Sequence, residues 1–131
     1  MFLINEAILL ELRGKIMFQI FVILRRKKGT SRQCFITHWK SIHGPLFKKF
    51  PQILKYTQYV LEDKCRDDSD SPIDGISILD FENEIQMLEA WKMVEYEDIR
   101  KDELTFLENS GAGVHVSYVS ERIEVINKNI Q

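Results

Sequence analysis

Two hydrophobic periods alternate along the chain, and together they predict a series of strands and helices. The stretch Met17–Arg25 is apolar at both alternating sets of positions, which predicts a strand buried on both faces. Aromatic and β-branched residues favour three more strands, over Leu54–Leu61, Gly75–Phe81 and Val114–Val119, the last with an extension through Ile126. The chain therefore supplies four strands for a sheet.

Apolar residues at steps of three and four predict helices between these strands. The first helix is expected over Ser31–Phe50, with Thr30 as its N-cap. We expect Gly44-Pro45 to kink or interrupt it, because proline removes a backbone donor. A second helix is expected over Glu82–Lys92, and Glu95–Leu107 is either its continuation or a separate turn.

The order strand–helix–strand–strand–helix–strand indicates an α+β fold, the ferredoxin-like split βαβ sheet with helices on one face. The helices leave the other sheet face open, yet the first strand is apolar on both sides. A large exposed apolar face rarely persists on a monomer. The sequence therefore favours a homodimer in which two sheets pack face to face as a dimeric α+β barrel.

The 131 residues suffice for one domain, which we expect to span residues 17–126. Residues 1–16 are expected to be an N-terminal extension outside the core, and residues 127–131 a tail. Glu6 and Glu11 interrupt the apolar run of the extension, which argues against a signal peptide and a membrane span. The polar stretch Glu62–Asp74 is expected to be a surface loop.

Composition narrows the functional classes. Eighteen basic residues against 20 acidic ones argue against nucleic-acid binding, which needs a concentrated basic field. Cys34 and Cys65 form no CxxC motif and are too few for a disulfide scaffold, which favours a reducing cytoplasm. The sequence has neither a Gly-x-Gly-x-x-Gly motif nor a Walker loop, so no nucleotide cofactor is expected.

His43 is the side chain best suited to chemistry. It shares a helix stripe with Phe35 and Trp39, and it directly precedes Gly44-Pro45, where backbone groups and space are freed. Its unperturbed pKa of about 6.5 suits a general base or acid near neutral pH. The alternative is a structural histidine that holds the helix end through a hydrogen bond to a loop carbonyl.

The remaining polar candidates carry weaker expectations. His38 is five positions from His43, about 140° around a regular helix, so the pair cannot bind one metal ion, and no metal site is expected. His115, on the last predicted strand, either faces the pocket or is structural. Asp102 and Glu103 are adjacent on a helix and point in different directions. We expect Asp102 to cap a helix or form a salt bridge, and Glu103 to lie on the surface.

The run Phe35–Leu46 (FITHWKSIHGPL) resembles the F-x-x-x-W-x-x-x-H-x-P-L signature of the EthD family, named after an ethyl tert-butyl ether degradation locus. Four other stretches resemble segments of that family in the same order: Met17–Arg26, Pro51–Tyr59, Asp74-Gly75 and the D-E-x-x-F motif of Asp102–Phe106. The resemblance extends over residues 17–126.

The resemblance implies a dimeric ferredoxin-like barrel with a small-molecule pocket between sheet and helices, and no obligatory cofactor. Relatives include fungal polyketide cyclases or dehydratases and a bacterial lactone isomerase. By similarity His43 matches the helix-end histidine and Tyr56 a tyrosine that lines the isomerase pocket. The chain departs from that isomerase at Leu79, where a strand cysteine would be expected. Four residues are candidates for the pocket lining, the last of them from its place on the final predicted strand: Phe35, Trp39, Leu46 and His115.

Three functional hypotheses follow. The first is a cofactor-independent cyclase, dehydratase or isomerase that acts on a small carbonyl, polyketide-like or lactone-like substrate through His43 and Tyr56. The second is an oxidoreductase or degradation-pathway protein of the EthD type. The third is a non-catalytic dimer that binds a small ligand, which would be favoured if side chains such as Trp39 and Leu46 filled the pocket around His43.

Overall fold

A four-stranded antiparallel sheet with helices on one face forms the structure. The computed structural model describes residues 17–62, 73–109, 111 and 113–129. The expectations for residues 1–16, for most of the loop Glu62–Asp74 and for the end of the tail lie outside these described residues. The strands and helices are, in chain order, β1 (Phe18–Leu24), α1 (Arg32–His38), α2 (Gly44–Leu46), β2 (Ile53–Val60), β3 (Gly75–Phe81), α3 (Glu84–Trp91), α4 (Glu95–Phe106) and β4 (Val114–Tyr118).

The strands lie in the order β2-β3-β1-β4, and all neighbouring pairs are antiparallel. β1 is central: Ile20 is opposite Leu79 of β3, and Val22 is opposite Val116 of β4. This topology, with helices after β1 and β3, confirms the predicted ferredoxin-like α+β fold.

Alternate side chains of β1 point to opposite faces of the sheet. Ile20 and Leu24 face the helices and are only 1% and 3% exposed, whereas Phe21, on the other side, is 36% exposed. In the single chain, β1 is therefore buried on the helix side alone, and not on both faces as predicted. The uncovered side is called the open sheet face below, and its apolar and aromatic residues include Phe21, Ile23, Tyr59, Ile76 and Ile78.

Side-chain caps start two of the helices. The Ser31 hydroxyl accepts a hydrogen bond from the backbone N–H of Cys34 at 3.1 Å, so Ser31 and not the predicted Thr30 is the N-cap of α1. Asn83 caps α3 in the same way, accepting from the N–H of Gln86 at 2.9 Å.

The first helical stretch changes its hydrogen-bonding pattern before the proline. The segment Trp39–His43 is a π-turn, in which the N–H of Gly44 donates to the carbonyl of Trp39, five residues back. Pro45 has no N–H and cannot close an α-helical bond. The interruption predicted at Gly44-Pro45 therefore takes the form of a change in hydrogen-bond register, while the backbone stays helical through a final 3-10 turn, Phe47–Lys49.

Two clusters of buried side chains fill the space between the sheet and the helices. The larger consists of Ile20, Phe50, Leu79, Phe81, Met87, Ala90 and Ile99. The smaller consists of Leu24, Phe35, Trp39, Phe106 and Leu107.

Trp39 is fully buried and lies directly on the first residue of β3. A Cβ atom on Gly75 would be 2.6 Å from Cζ3 of the indole, so only glycine admits the ring at this distance. The preceding Asp74 is also buried, and its carboxylate accepts from the backbone N–H of Arg26 at 2.9 Å. The start of β3 is thus tied to the end of β1 and to the π-turn.

The last third of the chain differs from the prediction in two respects. α4 is a separate helix of 12 residues and not a continuation of α3. β4 ends at Tyr118, so the predicted extension through Ile126 is wrong. The N–H of Val119 still donates to the carbonyl of Gln19 at 3.0 Å. β1 begins at Phe18, so the residues after position 120 lie beyond the end of β1.

The contact between Trp39 and Gly75 makes a prediction about stability. Replacing Gly75 with Ala should lower the free energy of unfolding by about 1–3 kcal/mol, because the added methyl group overlaps the indole. Urea denaturation measures the loss. The same substitution in a Trp39→Phe background should cost less, since the smaller ring leaves room. An equal cost in both backgrounds would contradict the steric explanation.

Candidate active site

A cavity of about 60 Å³ lies between the helix-covered side of the sheet and the helices. Apolar side chains from β1, β3, β4 and the helical segments form most of its wall. Six polar or titratable side chains also line it: His43, Tyr56, Ser77, Tyr96, Arg100 and Glu103. An apolar recess with a few polar groups is the usual character of a small-molecule site.

His43 reaches this cavity from the end of the π-turn. Its side chain is only 4% exposed, and its Nδ1 lies 2.8 Å from Oδ2 of Asp102 on α4. An ionised carboxylate only accepts hydrogen bonds, so Nδ1 carries the hydrogen and donates it. Nε2 then has the lone pair, and it makes no hydrogen bond to any residue in the described part of the chain.

Asp102 also binds the second histidine of the first helical stretch. Nε2 of His38 lies 2.9 Å from Oδ1 of Asp102. The imidazole ring of His38 stacks on the ring of Phe106, with 4.4 Å between the ring centres. On a regular α-helix, residues five apart point in different directions. The π-turn closes its hydrogen bonds over five residues, which brings His38 and His43 to one side. The separation of about 140° expected on a regular helix therefore does not apply to this segment. The carboxylate of Asp102 accepts a hydrogen bond from each histidine, and the expectation that the pair binds no metal ion stays a prediction.

Burial and the carboxylate act on His43 in opposite directions. Desolvation is the larger effect and lowers the pKa of His43 below its ordinary value of 6.5, while the hydrogen bond and the charge of Asp102 raise it. Burial prevails, so the imidazole is neutral at pH 7. A neutral histidine held through Nδ1 is equipped to accept a proton at Nε2.

Glu103 lies on the cavity wall and not on the surface as predicted. Its side chain is 15% exposed, and its Oε2 is 3.2 Å from Nη1 of Arg100. Burial raises the pKa of the Glu103 carboxyl, an effect that Arg100 opposes. Tyr96 lines the same side, and burial raises the pKa of its phenol. Apart from the helical position of Glu103, the sequence gives no indication that this side chain points into the cavity.

Tyr56 projects from β2 into the wall opposite α4. Its hydroxyl oxygen accepts a hydrogen bond from Nε2 of Gln58 at 3.0 Å, and its ring stacks on Phe47 at 4.6 Å. Burial raises the pKa of Tyr56, and this outweighs the opposite effect of its hydrogen-bonding neighbours. Phe47 and Tyr56 also border an open groove of about 600 Å³ on the far side of the pair.

The four residues predicted to line the pocket are distributed differently. Trp39 lines the cavity, as do both predicted catalytic residues. Phe35 is fully buried behind Trp39 in the smaller core cluster, and Leu46 packs against the larger one, and neither is part of the cavity wall. His115 pairs with Ile23 and lies on the open sheet face side, away from the cavity. The strand alternation that made His115 a candidate left its face undetermined.

Within residues 17–62, 73–109, 111 and 113–129, no group of three or more His, Cys, Asp or Glu side chains is arranged to hold a metal ion. No helix in this part of the chain is both long and apolar enough to cross a membrane.

The chain matches the model of the EthD domain over residues 27–110, and it belongs to the EthD family, which confirms the resemblance seen in the sequence. No curated protein sequence matches the chain.

Three solved structures have a similar fold. An EthD family protein from Bacillus halodurans C-125 superposes with a TM-score of 0.63 and 16% identity, over 81% of this chain and 99% of that one. A dimeric ferredoxin-like protein of unknown function from Jannaschia sp. CCS1 gives 0.59 and 13%, over 80% and 99%. SnoaB, a cofactor-independent oxygenase from Streptomyces nogalater, gives 0.59 and 9%, over 85% and 98%.

The His43–Asp102 pair makes a prediction about ionisation. Replacing Asp102 with Asn should lower the pKa of His43 further, because the carboxylate is what opposes the effect of burial. Titration of the histidine Cε1–H resonances by NMR follows this change. Asp98→Asn, which removes an exposed carboxylate from the same helix, is the matched control and should leave His43 as it is. A His43 resonance that titrates alike in Asp102→Asn and the native protein would refute the assignment.

Proposed function

We propose that this protein is a cofactor-independent enzyme that moves a proton on a small carbonyl compound, in a cyclase, dehydratase or isomerase reaction. The observation that carries the proposal is His43: buried, neutral, held by Asp102 through Nδ1, and with Nε2 available to a molecule in the cavity. Tyr56, in the same cavity wall, is its hydroxyl partner.

The proposed step is the removal of a proton from the carbon next to a carbonyl group. Nε2 of His43 takes the proton, the C–H electron pair becomes the carbon–carbon double bond of an enolate, and the carbonyl electrons move to oxygen. Asp102 stabilises the imidazolium that results. Return of the proton from Nε2 to another carbon gives an isomer. In a dehydration the enolate re-forms the carbonyl as the carbon–oxygen bond of a β-hydroxyl group breaks, and that hydroxyl takes the proton from Nε2 and leaves as water.

The cavity restricts what reacts inside it. About 60 Å³ accommodates a group of a few heavy atoms, so only the reacting part of a larger substrate fits without movement of the wall. The stacked rings of Phe47 and Tyr56 separate this space from the larger groove, and a shift of these rings would join the two.

A second candidate function is oxidation by molecular oxygen without a cofactor. Its support is the fold shared with SnoaB, whose description is that of a cofactor-independent oxygenase. An enolate formed by His43 is electron-rich, so the same first step serves both reactions. Oxygen uptake during turnover separates them, because isomerisation and dehydration consume none.

We further propose that the protein is a homodimer. The open sheet face carries Phe21, Ile23 and three other apolar side chains, and a second copy packed against it would remove them from water. A similar structure is that of a dimeric ferredoxin-like protein. A location in the cytoplasm fits the free thiol of Cys34, which is exposed.

The role of His43 is tested by exchange of substrate hydrogens with solvent. Small ketones and lactones are incubated with the protein in D₂O, and deuterium incorporation is followed by NMR. His43→Asn keeps a donor for Asp102 but has no base, and it should slow exchange by about 10²- to 10⁴-fold. His115→Asn is the matched control on the other sheet face. Equal exchange by His43→Asn and the native protein would remove His43 from the mechanism.

The dimer is tested by a charge on the open sheet face. Phe21→Glu should convert the protein to a monomer in sedimentation experiments, because a carboxylate would be buried between the sheets. Ile85→Glu, at a 66% exposed site on α3, is the control and should leave the mass unchanged. A native protein that sediments as a monomer would disprove the face-to-face arrangement.

A further inference from the structure

The Gln58 amide has only one orientation that its contacts allow. Its Nε2 lies 2.9 Å from the carbonyl oxygen of Trp39 and 3.0 Å from the hydroxyl oxygen of Tyr56. A backbone carbonyl only accepts, so the amide nitrogen, and not the amide oxygen, must face it. The second hydrogen of this nitrogen is then directed at Tyr56, whose oxygen acts as the acceptor.

This contact determines what the Tyr56 hydroxyl can do. A phenol has a single hydrogen to donate, and Gln58 uses the oxygen only as an acceptor. No residue in the described part of the chain accepts the Tyr56 hydrogen. Tyr56 lines the cavity, so a molecule bound there can supply the missing acceptor.

Trp39 provides a second donor on the same wall. Its Nε1 is buried and makes no hydrogen bond within the described residues. Burial has the largest effect on Tyr56 and raises the pKa of its hydroxyl. Gln58 and the nearby indole of Trp39 both act to lower that pKa, because each favours the phenolate. An unpaired buried N–H is costly, and an acceptor in the cavity would reduce that cost.

The π-turn and a glycine hold Gln58 in this position. The carbonyl of Trp39 accepts from Gly44 N–H within the π-turn and from Gln58 as well. A Cβ atom on Gly44 would lie 2.8 Å from Nε2 of Gln58, so a larger residue would push the amide away.

We propose that Tyr56 and Trp39 form a donor-only site for a carbonyl or enolate oxygen, and that Gln58 is the positioning residue that keeps Tyr56 a donor. The class of ligand rests on the proposed function, since a carbonyl oxygen next to His43 is what that reaction requires. The donor character of the site does not, because it follows from the hydrogen bonds of Gln58 and from the unpaired Nε1 of Trp39.

The tyrosine Cζ resonances test the site without any substrate. The chain has four tyrosines, and ¹³Cζ labelling gives one signal for each, with Tyr56→Phe identifying that of Tyr56. Gln58→Leu removes a donor to the phenolate and should lower the acid dissociation constant of Tyr56 about tenfold. Gly44→Ala, which displaces the amide without removing it, should act in the same direction. Gln33→Leu, at an exposed glutamine that bonds Thr37, is the control and should have no effect.

Acetone tests the ligand class, because it is a small molecule that only accepts hydrogen bonds. It should shift the Tyr56 signal in the native protein and in Gln33→Leu. In Gln58→Glu a carboxylate would accept the Tyr56 hydrogen instead, and the response to acetone should be lost.

A Tyr56 that titrates alike in the native protein, Gln58→Leu and Gly44→Ala would overturn the positioning role. A Tyr56 signal that does not shift with acetone in the native protein would overturn the proposed donor-only site. Failure of the proposed function looks different: no ketone or lactone would exchange hydrogens, while Tyr56 still responded to Gln58 and to acetone.

Discussion

The carboxylate of Asp102 connects the two halves of the candidate site, and the arrangement of the site depends on it. It projects from α4 and binds two histidines of the first helical stretch. Oδ2 accepts from Nδ1 of His43 at 2.8 Å, and Nε2 of His38 lies 2.9 Å from Oδ1 and 3.0 Å from Oδ2. A single charge therefore fixes the rotamer and tautomer of a buried imidazole and opposes the effect of burial on its pKa. It also connects two elements that are far apart in the chain. The adjacent Glu103 turns into the cavity because α4 lies in this orientation.

Much of the fold could be predicted from the sequence, because each element carries a local pattern. The period of apolar residues marked all four strands and both helical regions, and their order was enough for the ferredoxin-like topology. The end of β4 was predicted wrongly, because pairing with a strand that is distant in the sequence determines where it stops. In the register of β1 and β4, Phe18 at the start of β1 is opposite Ser120, so β1 offers no partner to residues 121–126. Nothing in the local sequence of those residues reports where a partner strand stops. The N-cap fell on Ser31 because two neighbouring hydroxyl residues offer the same chemistry.

The candidate site was predictable in part. His43 and Tyr56 line one cavity, as the pattern and the resemblance suggested, but their catalytic roles stay predictions. The relation between the two histidines could not be derived, since angles around a helix assume an α-helical period and the π-turn changes it. The sequence pattern does not identify Gln58 as a functional residue, because a glutamine on a strand is usually a surface residue. Its importance comes from Gly44 and the Trp39 carbonyl, which only the folded chain brings to it.

The π-turn gives this site a tolerance in residue count. A turn closed over five residues holds one residue more than an α-helical turn of the same stretch. Deleting one residue between Trp39 and His43 would let the segment return to an ordinary α-helix, with every side chain kept chemically intact. His38 and His43 would then be four residues apart, and residues four apart share a face of an α-helix, so both side chains would still face Asp102. The π-turn therefore accommodates one additional residue while it keeps the two histidines together, and a chain one residue shorter here keeps the same pair on an ordinary α-helix.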